Sequence, residues 1–399
     1  MSVPTGFVDP PLGGHILPAH VGSVVARRRP RRWPGWLFGG LAVLVLAGVL
    51  AALQISANLG YDEAQADFDV ARDSVRSTAT IVRDTSDDLV ATADAADLLL
   101  QTDSGVLVDP ATRDALAVAV VDARAADEAA RGLLAEPLPD AGSKPSVFWE
   151  LFASAERIAL QTDDLESRDR DLSEESPALD TASSSLTDAG LAVLGSAATA
   201  ASSFESAHLS AKNDAVIALR DAATSASLAS TLDDQTSIAL AALQDAAAQV
   251  VSSEQSELAE KAGPLQAVRL EIEAFARSLA PGVLLEFDWN PIVNDAGFNG
   301  SMGGLTTWWW DEPDRAVIEL SNSVAEQWPA DRSKALVAHE VGHAISVKCE
   351  DMYDSSTQDS IEKWATAWAI GMGFADDANG VWAYGYPPQS YIDASYACR

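Results

Sequence analysis

Residues 36–55 form a run of 20 amino acids without a charged side chain, and Arg27, Arg28, Arg29, Arg31 and Arg32 stand just before it. At about 1.5 Å per residue, a helix of that length matches the ~30 Å hydrocarbon layer of a bilayer. Positive charge stays on the cytoplasmic side, so the first 35 residues are expected inside and the rest of the chain outside. Trp33 and Trp36 stand where an interfacial aromatic belt would lie. The competing reading is a cleaved signal peptide with Ala57 at the cut. The apolar run exceeds the roughly 7–15 residues of a signal core, which favours an uncleaved anchor. The expected order is a cytoplasmic tail at 1–35, a transmembrane anchor at 36–56, an extracytoplasmic helical stalk or sensor region at 57–263 and a folded α+β domain at 264–399. The chain is thus expected in the cell membrane as a single-pass protein.

The formal charge of −33, from 26 basic against 59 acidic residues, argues against a nucleic-acid partner, because such a surface repels phosphate. From 58 to 263 the chain is rich in Ala, Ser, Asp, Thr and Leu with few aromatics, which is helical composition. Its prolines, at 110, 137, 139, 145, 177 and 264, divide it into expected helices at 61–103, 110–136, 146–170, 178–229 and 231–262, with Gly190 and Gly195 as weak points in the fourth. The apolar stripe through Phe68, Val75, Ile81, Val82, Leu89, Leu98 and Leu99 is narrow and filled out by alanine, so long antiparallel hairpins are expected and no internal repeat is evident. Phe148, Trp149 and Phe152 make a local aromatic knot. Such a region serves as a passive stalk or as a surface for an envelope protein partner.

The C-terminal domain opens with a helix at 265–279 and a strand at 283–287. A Gly-rich loop follows, then a hairpin of 305–310 and 315–320 around the turn 311–314. Next comes His339-Glu340-Val341-Gly342-His343 inside a helical run, with Asp331 placed to cap its start. Residues four apart lie on one face of a helix, so both imidazoles reach a common metal ion, and Glu340 borders the same place. Two neutral nitrogen ligands beside a carboxylate that can take a proton from an activated water are what a zinc hydrolase needs. The edge strand of the hairpin is expected to hold an extended substrate, with Trp308, Trp309 and Trp310 packing or touching it.

A third ligand has to come from further along. Glu362 lies 19 residues past His343 on a helix reading Glu362-Lys363-Trp364-Ala365, with Ile361, Trp364, Ala365 and Trp368 toward the core. This pairing of H-E-x-x-H with a downstream E-x-x-A resembles the zincin metallopeptidases of the gluzincin kind, in particular small ones of the ImmA/IrrE type. The resemblance covers about residues 265–375. It implies a zincin-like fold and a membrane-anchored peptidase acting on protein or peptide substrates, with Zn²⁺ held by His339, His343 and Glu362 and with Glu340 as catalytic base. Asp359 is the alternative third ligand, and Mn²⁺ or Co²⁺ the alternative metals. Position 349 is Cys where a metzincin has its third His, and Thr366 stands where some gluzincins carry a supporting carboxylate. Tyr384 and Tyr386 are candidates to stabilise the oxyanion of the transition state. Cys349 and Cys398, in a domain expected outside the cytoplasm, are expected to form a disulfide. The alternative from another class is a tethered interaction or sensor protein whose zincin-like domain is inactive.

Overall fold

The computed structural model describes residues 35–399. The expected cytoplasmic tail, with its arginines and Trp33, lies outside them. The fold is mostly helical, with one small mixed sheet in the C-terminal third. One helix, α1 (Gly35–Thr102), is long and apolar enough in its first part to cross a membrane, and its side chains from Leu41 to Ile55 are largely exposed. The described chain divides into two compact units, one of Asp140–Gln161 with the N-terminal stretch to Phe68, the other of Asp69–Pro139 with Thr162–Arg399.

Four helices follow α1 before the C-terminal domain: α2 (Pro110–Leu134), α3 (Phe148–Ala207) and the hairpin α4 (Asn213–Ser227) with α5 (Asp234–Glu260). Each break has a local cause. Asp109 caps α2 through Ala111 N, with Pro110 at the first helical position, and Asp233 with Thr236 forms a capping box on α5. The break expected at Pro177 does not occur, because α3 runs through it to Ala207. A proline inside a helix costs about 3 kcal/mol, but Leu151, Ile158, Leu165, Leu172, Leu179, Leu186 and Val193 recur every seventh residue and are all buried. Packing of that seam on both sides of Pro177 offsets the loss. The same spacing appears in α1 at Tyr61, Phe68, Val75, Val82, Leu89 and Ala96, so a heptad repeat is present after all.

The expected antiparallel pairing holds for α2 against α1 and within the hairpin α4–α5, but not for α3. In the second unit Arg124 meets Asp94 and Asp97 while Arg131 meets Asp87, so α2 runs down α1. By contrast Asp169 accepts from Ser74 and Thr78, and Ser196 bonds Asp109 N and Thr112, so α3 runs parallel to α1 there.

The hairpin α4–α5 is built into the C-terminal domain rather than hung beside it. Asn213 donates its side-chain amide to Ala316 O and its backbone N–H to Glu286, both at 2.9 Å. Lys261, 3% exposed, lies between Glu257 and Glu273 at 3.3 and 3.2 Å, so its charge is compensated by two partners.

The sheet has the order β1-β3-β2, with β1 (Leu284–Asn290) parallel to β3 (Glu312–Ser321) and β2 (Gly304–Trp309) antiparallel to it. The hairpin turn is thus shorter than expected, and Pro313 lies within β3. Ala316, Ile318 and Leu320 alternate inward along β3, and Leu285 with Phe287 does so along β1. That face packs on α6 (Gln266–Leu279), on α8 (Asp331–Ser346) and, through one core, on Trp364 and Trp368 of α9 (Gln358–Gly371). The short α7 (Asn322–Glu326) links β3 to α8, and α10 (Val381–Tyr384) and α11 (Gln389–Ser395) close the chain. Asp331 does not cap α8: it is the first helical residue, and Ala330 precedes it without a side-chain bond. Its carboxylate still lies where the helix dipole favours a negative charge.

Candidate metal centre

Helix α8 is buried along almost its whole length, including both histidines. It is brought close to α9 by its smallest residue. A Cβ on Gly342 would lie 2.8 Å from the carbonyl oxygen and 3.0 Å from the Cα of Ala365, so only glycine allows this approach. Ala365, with no side chain beyond Cβ, completes the contact, and Glu362 one turn earlier on α9 is thereby carried to the histidines.

The three side chains meet at their tips. His339 Nε2 and His343 Nε2 are 3.2 Å apart, and Glu362 Oε2 lies 3.2 Å from the first and 3.0 Å from the second. These are the three residues in the described chain whose ligand atoms gather closely enough to hold one metal ion. Their separations fit a shared cation: donors about 2.0–2.1 Å from a tetrahedral centre are about 3.3 Å from one another. Two imidazole nitrogens and a carboxylate oxygen, all acceptors in their ligating form, have no other common partner there. Burial alone would raise the carboxyl of Glu362, but its hydrogen bonds to His339 and His343 hold it well below the usual carboxylate range. Asp359, the alternative ligand, instead pairs with Lys363 at 2.7 Å on the exposed side of α9.

The surroundings fix each imidazole. Thr366 Oγ1 lies 3.4 Å from His339 Nδ1 and donates to Glu362 O at 2.8 Å. No carboxylate bonds His339 Nδ1 among the described residues; this hydroxyl is the side chain that meets it. Gly380, at φ 105°, packs directly on it: a Cβ there would be 2.2 Å from Thr366 Oγ1 and 2.7 Å from His339 Nδ1. His343 is held by stacking, with Trp308 of β2 parallel to its ring at 5.2 Å. Tyr384 stacks on His339 at 5.8 Å, and burial first, then the charges of Glu362 and Glu340, push its phenol up to about 12. Tyr386 is 66% exposed and turned to solvent.

Glu340 is buried beside this group. Thr306 of β2 donates to its Oε2 at 2.8 Å, and Gly304 leaves room for it, since a Cβ there would come within 2.3 Å of Oε1. Burial pushes its carboxyl up to about 7 against the opposing effects of His339 and the Thr306 bond. Thr306 and Gly380 carry no motif in the sequence, Gly304 reads there only as part of the Gly-rich loop, and Thr366 only as the absence of a carboxylate. Cys349 and Cys398 form the expected disulfide, and Trp368 Nε1 donates to Cys398 O at 3.0 Å, so the chain end is tied to the turn that follows α8 and to α9. Comparison of the chain with protein-family models, with curated proteins and with solved structures finds no match in any of the three.

Proposed function

We propose that the C-terminal domain is a zinc-dependent peptidase of zincin type, tethered to the cell membrane by the apolar part of α1 and facing the extracytoplasmic side. The observation that carries the reading is the convergence of His339, His343 and Glu362 within 3.2 Å, with a buried carboxylate, Glu340, beside them. A His/His/carboxylate set suits Zn²⁺, which when bound supplies Lewis acidity toward a carbonyl and a water.

The protein's own residues do the rest. Glu340 keeps Oε1 free while Thr306 occupies Oε2, so Oε1 accepts a proton from the attacking water and later hands it to the leaving amine. Tyr384, stacked on His339, carries a hydroxyl that can donate to the developing oxyanion. Strand β2 is the sheet edge next to the centre, and its outer side offers backbone groups to an extended peptide. The arginines before residue 36 support the orientation of the tether.

The test uses the full chain in detergent with a mixture of internally quenched peptides as probe. Glu340→Gln is expected to retain the metal and to lose hydrolysis by about 10²-fold or more. Equal hydrolysis by the variant and the parent chain, or none by the metal-loaded parent, contradicts the reading.

A further inference from the structure

Two large aromatic side chains at the start of α3, Trp149 and Phe152, are 60% and 44% exposed. In the same compact unit, Ile55 and Leu59 of α1 are exposed as well. Apolar side chains gathered in this way mark a surface that something covers. The position of the pair along α1 says what. Gln54 Nε2 donates to Ser146 O at 3.2 Å, so the chain enters α3 at the level of Gln54.

Gln54 stands at the end of the uncharged run of 36–55, whose ~30 Å length puts it at the outer edge of the hydrocarbon layer. The headgroup zone continues for several Å beyond that edge. Side chains on a helix tilt toward its N-terminus, and the N-terminus of α3 is the end held at Gln54, so both rings lean toward the bilayer. Trp is the side chain best suited to that layer, with an apolar body and one polar N–H. Charge is not the attraction: Lys144 of the preceding loop is paired with Asp62 at 2.6 Å, and Glu150 lies beside Trp149.

We propose that the first turn of α3 inserts Trp149 and Phe152 into the interfacial layer of the leaflet on the C-terminal side, as a second membrane contact next to the span. The proposal rests on the membrane reading of α1. Its lipid is zwitterionic or anionic alike, because apolar burial rather than charge drives it.

The experiment is spin-label accessibility in the full chain, in phosphatidylcholine nanodiscs. Single cysteines are introduced as Trp149→Cys, Phe152→Cys, Leu46→Cys and Leu160→Cys, and the two native cysteines are tied up in their disulfide. Trp149 and Phe152 are exposed, so their replacement leaves the buried seam of Leu151 and Ile158 intact. Labels at 149 and 152 are expected to show a ratio of oxygen to nickel-chelate collisions several-fold above the label at 160, which lies about two turns beyond 152 and about three beyond 149 along α3. A water-like ratio at 149 and 152 with a lipid-like ratio at 46 overturns the proposal and leaves the span standing. A water-like ratio at 46 as well overturns the span and the proposal together.

Discussion

Thr366 Oγ1 faces His339 Nδ1 at 3.4 Å while its own proton is committed to the carbonyl of Glu362 at 2.8 Å. The hydroxyl therefore acts as acceptor toward the imidazole, which keeps the proton on Nδ1 and the lone pair on Nε2, where a metal ligand needs it. Thr366→Val keeps the shape and removes the acceptor. It is expected to weaken metal binding about 10- to 100-fold in a chelator competition titration, and Thr366→Ser is expected to restore most of it. Equal affinity in the valine variant would show that the contact does not orient the ring.

Gly304 sets the place of Glu340. Gly304→Ala drives a methyl against the buried carboxylate, whose Oε1 lies 2.3 Å from the new atom, so Glu340, the proposed base, is displaced while His339, His343 and Glu362 are left alone. Hydrolysis is expected to fall about 10²-fold, as for a misplacement of about 1 Å, with metal content unchanged by elemental analysis. Parent-like turnover in this variant would mean that Glu340 is not held at its working position by β2.

The disulfide closes a loop of sequence separation 49, which in the chain-entropy model stabilises the fold by about 4 kcal/mol. Cys349→Ala with Cys398→Ala is expected to lose up to about that amount in denaturant unfolding. Hydrogen exchange should rise first at the chain end, where Cys398 O accepts from Trp368. An unchanged unfolding midpoint would place the stability of the domain elsewhere.

Glu286 caps the start of α4 through Asn213 N and is raised above its ordinary value by burial, against the pull of that bond and of Lys212. A carboxyl raised in the folded state favours folding most below its unfolded pKa, near 4.5, and that advantage is lost as pH rises through the folded value. Glu286→Gln, which stays neutral, is therefore expected to gain stability relative to the parent chain between pH 4 and the upper end of that window, read from paired thermal unfolding curves. A difference that is flat over the window would contradict this.

Much of the C-terminal domain was legible because its signals are local. H-E-x-x-H shows its spacing on one helix turn, the cysteine pair follows from an even count, and the inward face of α9 is written in Ile361, Trp364, Ala365 and Trp368, all buried. Less legible was whatever depends on which element lies opposite. The path of α3 through Pro177 reflects a packed seam that outweighs one lost hydrogen bond, and the parallel course of α1 and α3 follows from contacts such as Asp169 with Ser74 and Thr78. Gly342 gave no sign that it admits Ala365, nor Thr306 that it would grip Glu340, because both roles exist only once α8 meets its neighbours.

The central claim is that His339, His343 and Glu362 hold one divalent ion, and the most direct measurement is metal content per chain of the purified protein by elemental mass spectrometry, with zinc supplied during purification. About one equivalent is predicted for the parent chain and for Glu340→Gln, with near loss in His343→Ala and in Glu362→Ala. A parent chain without stoichiometric metal, or a Glu362→Ala variant that binds as much as the parent, would contradict the account.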